Sequence, residues 1–345
     1  MSHSSPVAAP LRRAAFPCAA AAAIVVAGLA APAAAQTEIT YATDWLAQAE
    51  HGGMYQAVAE GLYEKYGLDV EIMMGGPQID NQQLLAAGAI DMGTGSNSFF
   101  PLNLVAAGAP VQAVMAMFQK DPQILMTHPR DDIDSIADMA GQPIMIANSS
   151  INTFWVWLSA QYGFTDDMIR PYTFNMAPWL VDETAIQQGY LSSEPFKVQQ
   201  EGGITPEVYL LADEGYPAYS SLALVPASLI EESPEVVDGF VKATIEGWIS
   251  YLYGDPSPGN ALIMEANPDM TPETIAYGIE QMKANEILTA GDAAELGIGA
   301  MTDERWKAFF DVMAENGVYE PDLDYTAAYT LDFVNQGYGL DMMPE

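Results

Sequence analysis

Basic residues, histidine and cysteine are what this chain of 345 residues has least of. It carries 11 Lys and Arg against 46 Asp and Glu, a formal net charge of −35, with three histidines and one cysteine. A field that negative repels phosphate backbones and anionic headgroups, which argues against nucleic acid or an anionic membrane surface as partner. A single thiol, Cys18, excludes an intramolecular disulfide and a thiolate metal cluster. His3, His51 and His128 are too scattered for a cluster of imidazole ligands, so no metal is expected. Also missing are a Gly-x-Ser-x-Gly elbow and a Gly-Lys-Ser/Thr phosphate loop, which removes the commonest hydrolase and nucleotide readings.

The N-terminus has the order of a secretory leader: Arg12-Arg13, an apolar stretch over Ala14–Leu29, then Ala33-Ala34-Ala35 before Gln36. Cleavage is expected after Ala35. Pro17, Gly28 and Pro32 interrupt the segment, which is too short and alanine-rich for a membrane span, and Ala15-Phe16-Pro17 before Cys18 is not a lipoprotein site. The expectation is a soluble periplasmic protein with no thiol after processing and no direct insertion into the membrane. Roughly 310 residues remain, more than one compact core usually serves, so two lobes are expected. The acidic excess reads either as a salt-adapted surface or as a bias in ligand choice. A neutral or cationic ligand fits it better than nitrate, sulfate or phosphate, although backbone N–H groups at a helix start can bind an anion regardless of net charge.

From Glu38 onward short extended runs alternate with helical periods, an α/β rhythm. Extended segments are expected at Ile39–Trp45, Leu68–Met73, Ala89–Met92 and Val111–Phe118, with helices over Gly52–Tyr66, Asn81–Ala87 and Phe99–Ala107. Leu68-Asp69-Val70-Glu71-Ile72 alternates strictly, and Gly67 supplies a left-handed stop to the helix before it. A second series starts near Gln123: Ile124–Met126, Pro143–Ala147 and Tyr172–Phe174 extended, Phe154–Tyr162 and Thr184–Gln188 helical, Val208–Leu211 extended. After Pro217 the chain reads as mainly helical, over Pro234–Tyr251, Thr271–Ala284 and Asp303–Asn316. Short hinges near Asp121-Pro122 and Tyr216–Ser220 would carry the chain between lobes.

Thr43-Asp44-Trp45, His51-Gly52-Gly53-Met54-Tyr55-Gln56-Ala57, Glu60-Gly61-Leu62-Tyr63 and Tyr66-Gly67-Leu68-Asp69-Val70 together resemble the opening of the SsuA/ThiY-like family of binding proteins. The likeness continues through Leu84–Gly93, Ile136–Ile144 and Glu232–Val237. It implies a type II periplasmic binding protein, with two lobes that each hold a mostly parallel sheet flanked by helices. Lobe I would comprise residues 36–122 and 221–345, and lobe II residues 123–220. By the same resemblance the chain is the solute-binding component of an ABC importer, a monomer whose partners are a small-molecule ligand, a permease and its ATPase. The Asp-Trp and His-Gly opening looks more like the thiamine-precursor (pyrimidine) branch than the sulfonate or nitrate one. An enzyme of this fold, a pyrimidine synthase, resembles it too, but uses pyridoxal phosphate and a cysteine-rich motif that this chain lacks. No catalysis and no cofactor are expected.

Ligands of open α/β sheets sit beyond the carboxyl ends of the strands, and that rule selects the candidates. Asp44 and Trp45 follow the first strand, where the indole either stacks on a planar ring or packs beneath the first helix. His51 opens that helix, as a neutral hydrogen-bonding imidazole or as a cap. Gly76 follows the second strand and lets a backbone come close to a ligand. Ser96 and Asn97 follow the third, and Ser149 and Ser150 occupy the equivalent point of the other lobe; each set serves as ligand donors or as helix caps. Tyr190 and Glu194 sit in a turn crowded with polar and aromatic groups: Tyr190 as a second stacking ring opposite Trp45, Glu194 as acceptor for an amino group or as a cap of the helix at Pro195. Trp155 and Trp157 lie two apart and cannot share a helix face, so one of them is expected in the core.

Overall fold

A computed structural model of the chain describes residues 1–3, 36–77 and 79–344. Beyond its first three residues, the leader read over 1–35, with Cys18 and the cleavage point, lies outside the described residues. Among them no helix is long and apolar enough to cross a membrane.

Strands β1 (Thr37–Ala42), β2 (Leu68–Met73), β3 (Met92–Asn97) and β4 (Val111–Phe118) come before residue 119. The next five are β5 (Gln123–Thr127), β6 (Ile144–Ile146), β7 (Ile169–Pro171), β8 (Ile186–Tyr190) and β9 (Glu207–Leu210), and β10 (Ser220–Pro226) follows. They build two five-stranded sheets, in the orders β2-β1-β3-β10-β4 and β7-β6-β8-β5-β9. In each sheet four strands run one way and a single strand opposes them, β10 in the first and β5 in the second. Each opposing strand is the one that the chain enters on arriving from the other sheet, by way of residues 119–122 or 211–219.

Most elements follow from local pattern. In β2 the Leu68 and Val70 side chains are buried and Asp69 and Glu71 exposed, as strict alternation dictates. Every residue of β4 except Gln112 is buried, the run of a strand covered on both faces. Several expectations need correction. The strand expected at Tyr172–Phe174 lies earlier, at Ile169–Pro171. Thr184–Gln188 is not helical: Ile186–Tyr190 pairs along its length with Gln123–Thr127, and its glutamines are buried with Gln188 Oε1 accepting the Ala147 N–H at 2.6 Å. Tertiary pairing overrides the weak helical propensity of a Gln-rich stretch. The third strand lies later than Ala89–Met92, so the polar residues Thr94–Asn97 belong to it rather than to a loop. Finally, Ser220–Pro226 inserts as a strand between β3 and β4 where a helical region was expected, because a short continuous apolar run has no period to read.

The expected helix over Gly52–Tyr66 is two, Gly52–Ala59 and Leu62–Lys65, separated at Gly61 with φ +67°. The first is buried on nearly all sides, because the long helix Pro234–Tyr253 packs on it backbone to backbone. A Cβ on Gly247 would lie 2.2 Å from the Gly53 carbonyl oxygen, so only glycine allows this approach. Trp155 and Trp157 are both core residues.

Candidate functional site

A cavity of about 410 Å³ opens between the carboxyl ends of the strands of both sheets. On the first-sheet side, Thr43 shapes the loop after β1: its hydroxyl donates to the Trp45 carbonyl at 2.8 Å and accepts the Gly75 N–H at 2.9 Å. Asn81 then ties the ends of β1 and β3 together, donating to the Ala42 and Thr94 carbonyls. The loop so held presents Asp44, whose carboxylate accepts from Ser96 Oγ at 2.5 Å and meets His51 Nε2 at 3.1 Å. The other ring nitrogen of His51, Nδ1, is buried without a protein partner. Since Ser96 and His51 share one carboxylate, the serine hydroxyl is engaged away from the imidazole, unlike the nucleophile–base–acid chain of a hydrolytic triad.

On the second-sheet side Glu194 accepts the Tyr190 N–H at 2.8 Å through one oxygen and the Tyr172 hydroxyl at 3.1 Å through the other. It begins the helix Glu194–Gly202 but bonds back into β8. Tyr190 reaches across the cleft to Ser220, its hydroxyl 3.3 Å from the serine oxygen. A second crossing bond runs from the Ser192 hydroxyl to Glu50. Trp45 faces Phe174 of the opposite side, ring centroids 4.8 Å apart at 49°, and Phe174 in turn contacts Tyr172 at 5.1 Å. Phe174 holds a left-handed backbone at φ +61°, and Ser221, which also lines the cavity, does so at φ +49°. Non-glycine residues in this region carry strain that persists where surrounding structure imposes it, commonly at ligand sites.

Charge in the cavity is one-sided. Asp44, Glu50, Asp121 and Glu194 line it, and Lys197 is its one ammonium among the described residues. Burial pushes the Asp121 carboxyl up to about 7, helped by the charge of Asp44 and opposed by the Gln123 N–H that it accepts at 3.1 Å. Burial likewise raises Glu50, against the bond from Ser192. The Tyr190 hydroxyl is held well above its ordinary value by burial and by Asp121.

Nine of the ten residues selected from sequence line this one cavity: Asp44, Trp45, His51, Ser96, Asn97, Ser149, Ser150, Tyr190 and Glu194. Gly76 does not, although Pro77 beside it does. The glycine that the local geometry demands is Gly75, where a Cβ would lie 2.1 Å from the Thr43 carbonyl. Tyr190 is not the ring opposite Trp45; Phe174 is. Sequence reasoning passed over Glu50, Asp121, Tyr172, Phe174 and Gln188. Phe174 was within reach of the strand-end rule, since it follows β7 as Trp45 follows β1.

A family model described as NMT1/THI5 like matches residues 48–257. The riboflavin-binding protein RibY of Chloroflexus aurantiacus is 24% identical over 311 residues, 87% of each chain. A formylaminopyrimidine-binding protein of Halalkalibacterium halodurans is also 24% identical, over 273 residues, 76% of this chain and 81% of the relative. The crystal structure of the periplasmic aliphatic sulphonate binding protein SsuA from Escherichia coli shares the fold, with a TM-score of 0.64 at 16% identity over 84% of this chain and 91% of that one. With its two mixed α/β sheets around one cleft, this chain is a solute-binding protein and belongs to the NMT1/THI5-like family.

Proposed function

We propose that the protein is the exported solute-binding component of an ABC importer, and that it carries a small aromatic heterocycle with N–H donors, neutral or cationic, of the thiamine-precursor pyrimidine type. The observation that carries this reading is the pairing of a tilted Trp45–Phe174 ring contact with four carboxylates and a single lysine in one cavity. Rings supply faces for a planar guest, and carboxylates accept from its amino groups. A sulfonate or nitrate would have to approach those four carboxylates, which disfavours the anion carriers of the same fold. The shared Asp44 carboxylate, which occupies both Ser96 and His51, supports binding without turnover.

A second reading is favoured by size. A cavity of about 410 Å³ lies within the roughly 300–1,000 Å³ range of pockets for drug-sized ligands, which leaves room for a fused-ring ligand such as the flavin of the riboflavin-binding relative.

In this proposal lobe I is 36–122 with 221–345 and lobe II is 123–220, and the ligand holds the lobes together by touching both. The protein is exported by a leader cleaved after Ala35, works in the periplasm as a monomer, and hands its ligand to a permease and ATPase.

Thermal-shift screening with formylaminopyrimidine, hydroxymethylpyrimidine, riboflavin, taurine and nitrate tests the ligand class, since a ligand of the native state raises the midpoint. A pyrimidine or riboflavin is expected to raise it. A shift with taurine or nitrate alone overturns the ligand assignment.

A further inference from the structure

We infer that Arg305, outside the cavity, is the positioning residue that confines lobe closure to two pivots and thereby aligns cavity residues on both chain crossings. The inference rests on the two-lobed clamp proposed above. Arg305 lies in the first turn of the helix Asp303–Glu315. Its guanidinium reaches both crossings at once. On the first, it donates to the Gln119 carbonyl through Nη2 and to the Gln119 side chain through Nη1 at 3.5 Å. On the second, it donates to the Pro217 carbonyl through Nε at 3.0 Å and to the Ala218 carbonyl through Nη2 at 2.9 Å. The guanidinium also stacks on the Tyr219 ring, 4.0 Å from its centroid. Only a planar fork with several donors can hold three carbonyls of two segments and a ring together.

The rest of the cluster belongs to the same block. Ile287 accepts the N–H groups of Gln119 and Lys120 at 2.8 and 3.1 Å. The Tyr219 hydroxyl donates to Asp292 at 3.1 Å and accepts the Thr302 N–H at 2.9 Å. Residues 119–120 and 217–219 are thus bound to the part of the chain that carries the first sheet. Beyond them, Gln123 is already paired into β5, Leu211 donates to the Gln123 carbonyl at 3.1 Å, and Tyr216 turns back to Leu211 at 3.0 Å and packs on Trp157. Pro122 also belongs to the second set, since its carbonyl accepts the Leu191 N–H at 2.9 Å, so the backbone left between the two anchored sets is Asp121 on one crossing and the link between Tyr216 and Pro217 on the other. Hinges of this kind absorb closure in a few residues. Asp121 lines the cavity and Ser221 lies just past the second pivot, so a clamp that fixes the pivots also fixes where those two groups meet a guest.

The test measures inter-spin distances in the full chain without any ligand, by pulsed electron resonance, on a Cys18→Ser background with nitroxides at Glu64→Cys and Glu201→Cys. Arg305→Gln, and Arg305→Lys, which keeps the charge but not the fork, are expected to broaden the distance distribution roughly twofold while circular dichroism still shows a folded chain. Lys307→Ala, on the same helix, removes only the exposed ion pair to Asp311, 2.5 Å long, and is expected to leave the distribution unchanged. If both Arg305 variants keep the parental distribution, or if both fail to fold, Arg305 is a structural residue and the inference is wrong. Because no ligand is used, this outcome is independent of the thermal-shift screen.

Discussion

Asp121→Asn is expected to raise the stability of the ligand-free protein at about pH 8 and to weaken binding of an amino-bearing or cationic ring at least tenfold. Burial raises this carboxyl in the folded state from 3.8 to about 7. Between those values the folded chain holds a proton that the unfolded chain has released. The stabilising contribution is therefore complete below about pH 4 and is lost as pH rises through 7. Above that, a charged carboxylate sits in a site that disfavours it. At 1.36 kcal/mol per pKa unit, the cost approaches about 4 kcal/mol as an upper bound. Asparagine keeps the oxygen that accepts the Gln123 N–H and carries no charge. Variant and parent should thus have nearly equal denaturant midpoints below about pH 4, where Asp121 is protonated in both the folded and the unfolded chain, and diverge between about pH 4 and 7 with the variant more stable. Glu50, also raised by burial, titrates alike in both proteins and cancels. A pH-independent difference would contradict the placement of the charge. The binding loss follows because a hydrogen bond to a charged acceptor is worth about 1.5–3 kcal/mol, tenfold or more in affinity. A stabilising substitution that impairs binding is the behaviour expected of a site that keeps an unfavourable charge for its ligand.

Trp45→Ala should lower the affinity for an aromatic ligand on the order of 100-fold, with little effect on the unliganded midpoint. The indole is half-buried on a loop, so its removal leaves no sealed core cavity. Two contributions are lost. One is stacking on the guest, about 1–3 kcal/mol for an aromatic side chain under a base. The other is the apolar surface of the half-buried indole that the guest covers, about 25 cal/mol per Å², since the Trp45–Phe174 contact is present without ligand. Trp45→Phe should recover most of the affinity and Phe174→Ala should lose less than Trp45→Ala, since Phe174 also leans on Tyr172. Titration calorimetry measures all three; an affinity within threefold of the parent for Trp45→Ala would remove the ring from the binding surface.

Legibility in the sequence followed the physics of each signal. Alternation in β2, the helix Phe154–Tyr162 and the apolar run Ala113–Phe118 of β4 are local patterns, and the structure has them at those residues. β8 and β10 were not legible, because their identity as strands comes from partners distant in the chain: Gln123–Thr127 for one, β3 and β4 for the other. The cavity residues were found mostly by the rule that strand ends face the ligand, which reaches Trp45 and Ser96 and also Ser149. It also reaches Asp121, which lies three residues past β4 as Trp45 lies three past β1, but it does not reach Glu50. That carboxylate joins the cavity only because the start of a helix converges there, a consequence of the two sheets facing each other. Gly76 was chosen for backbone access, yet the neighbouring Gly75 is the position where a side chain would strike the Thr43 carbonyl.

In the proposed function two sheets of one chain close on a guest that leaves unaltered. Small-angle scattering of the processed protein with and without the ligand found by screening, followed by recovery of that ligand, measures this directly. The expected result is a smaller radius of gyration at saturation, one ligand per chain, and a ligand recovered chemically intact. An unchanged radius at full occupancy, or a recovered product, would contradict it.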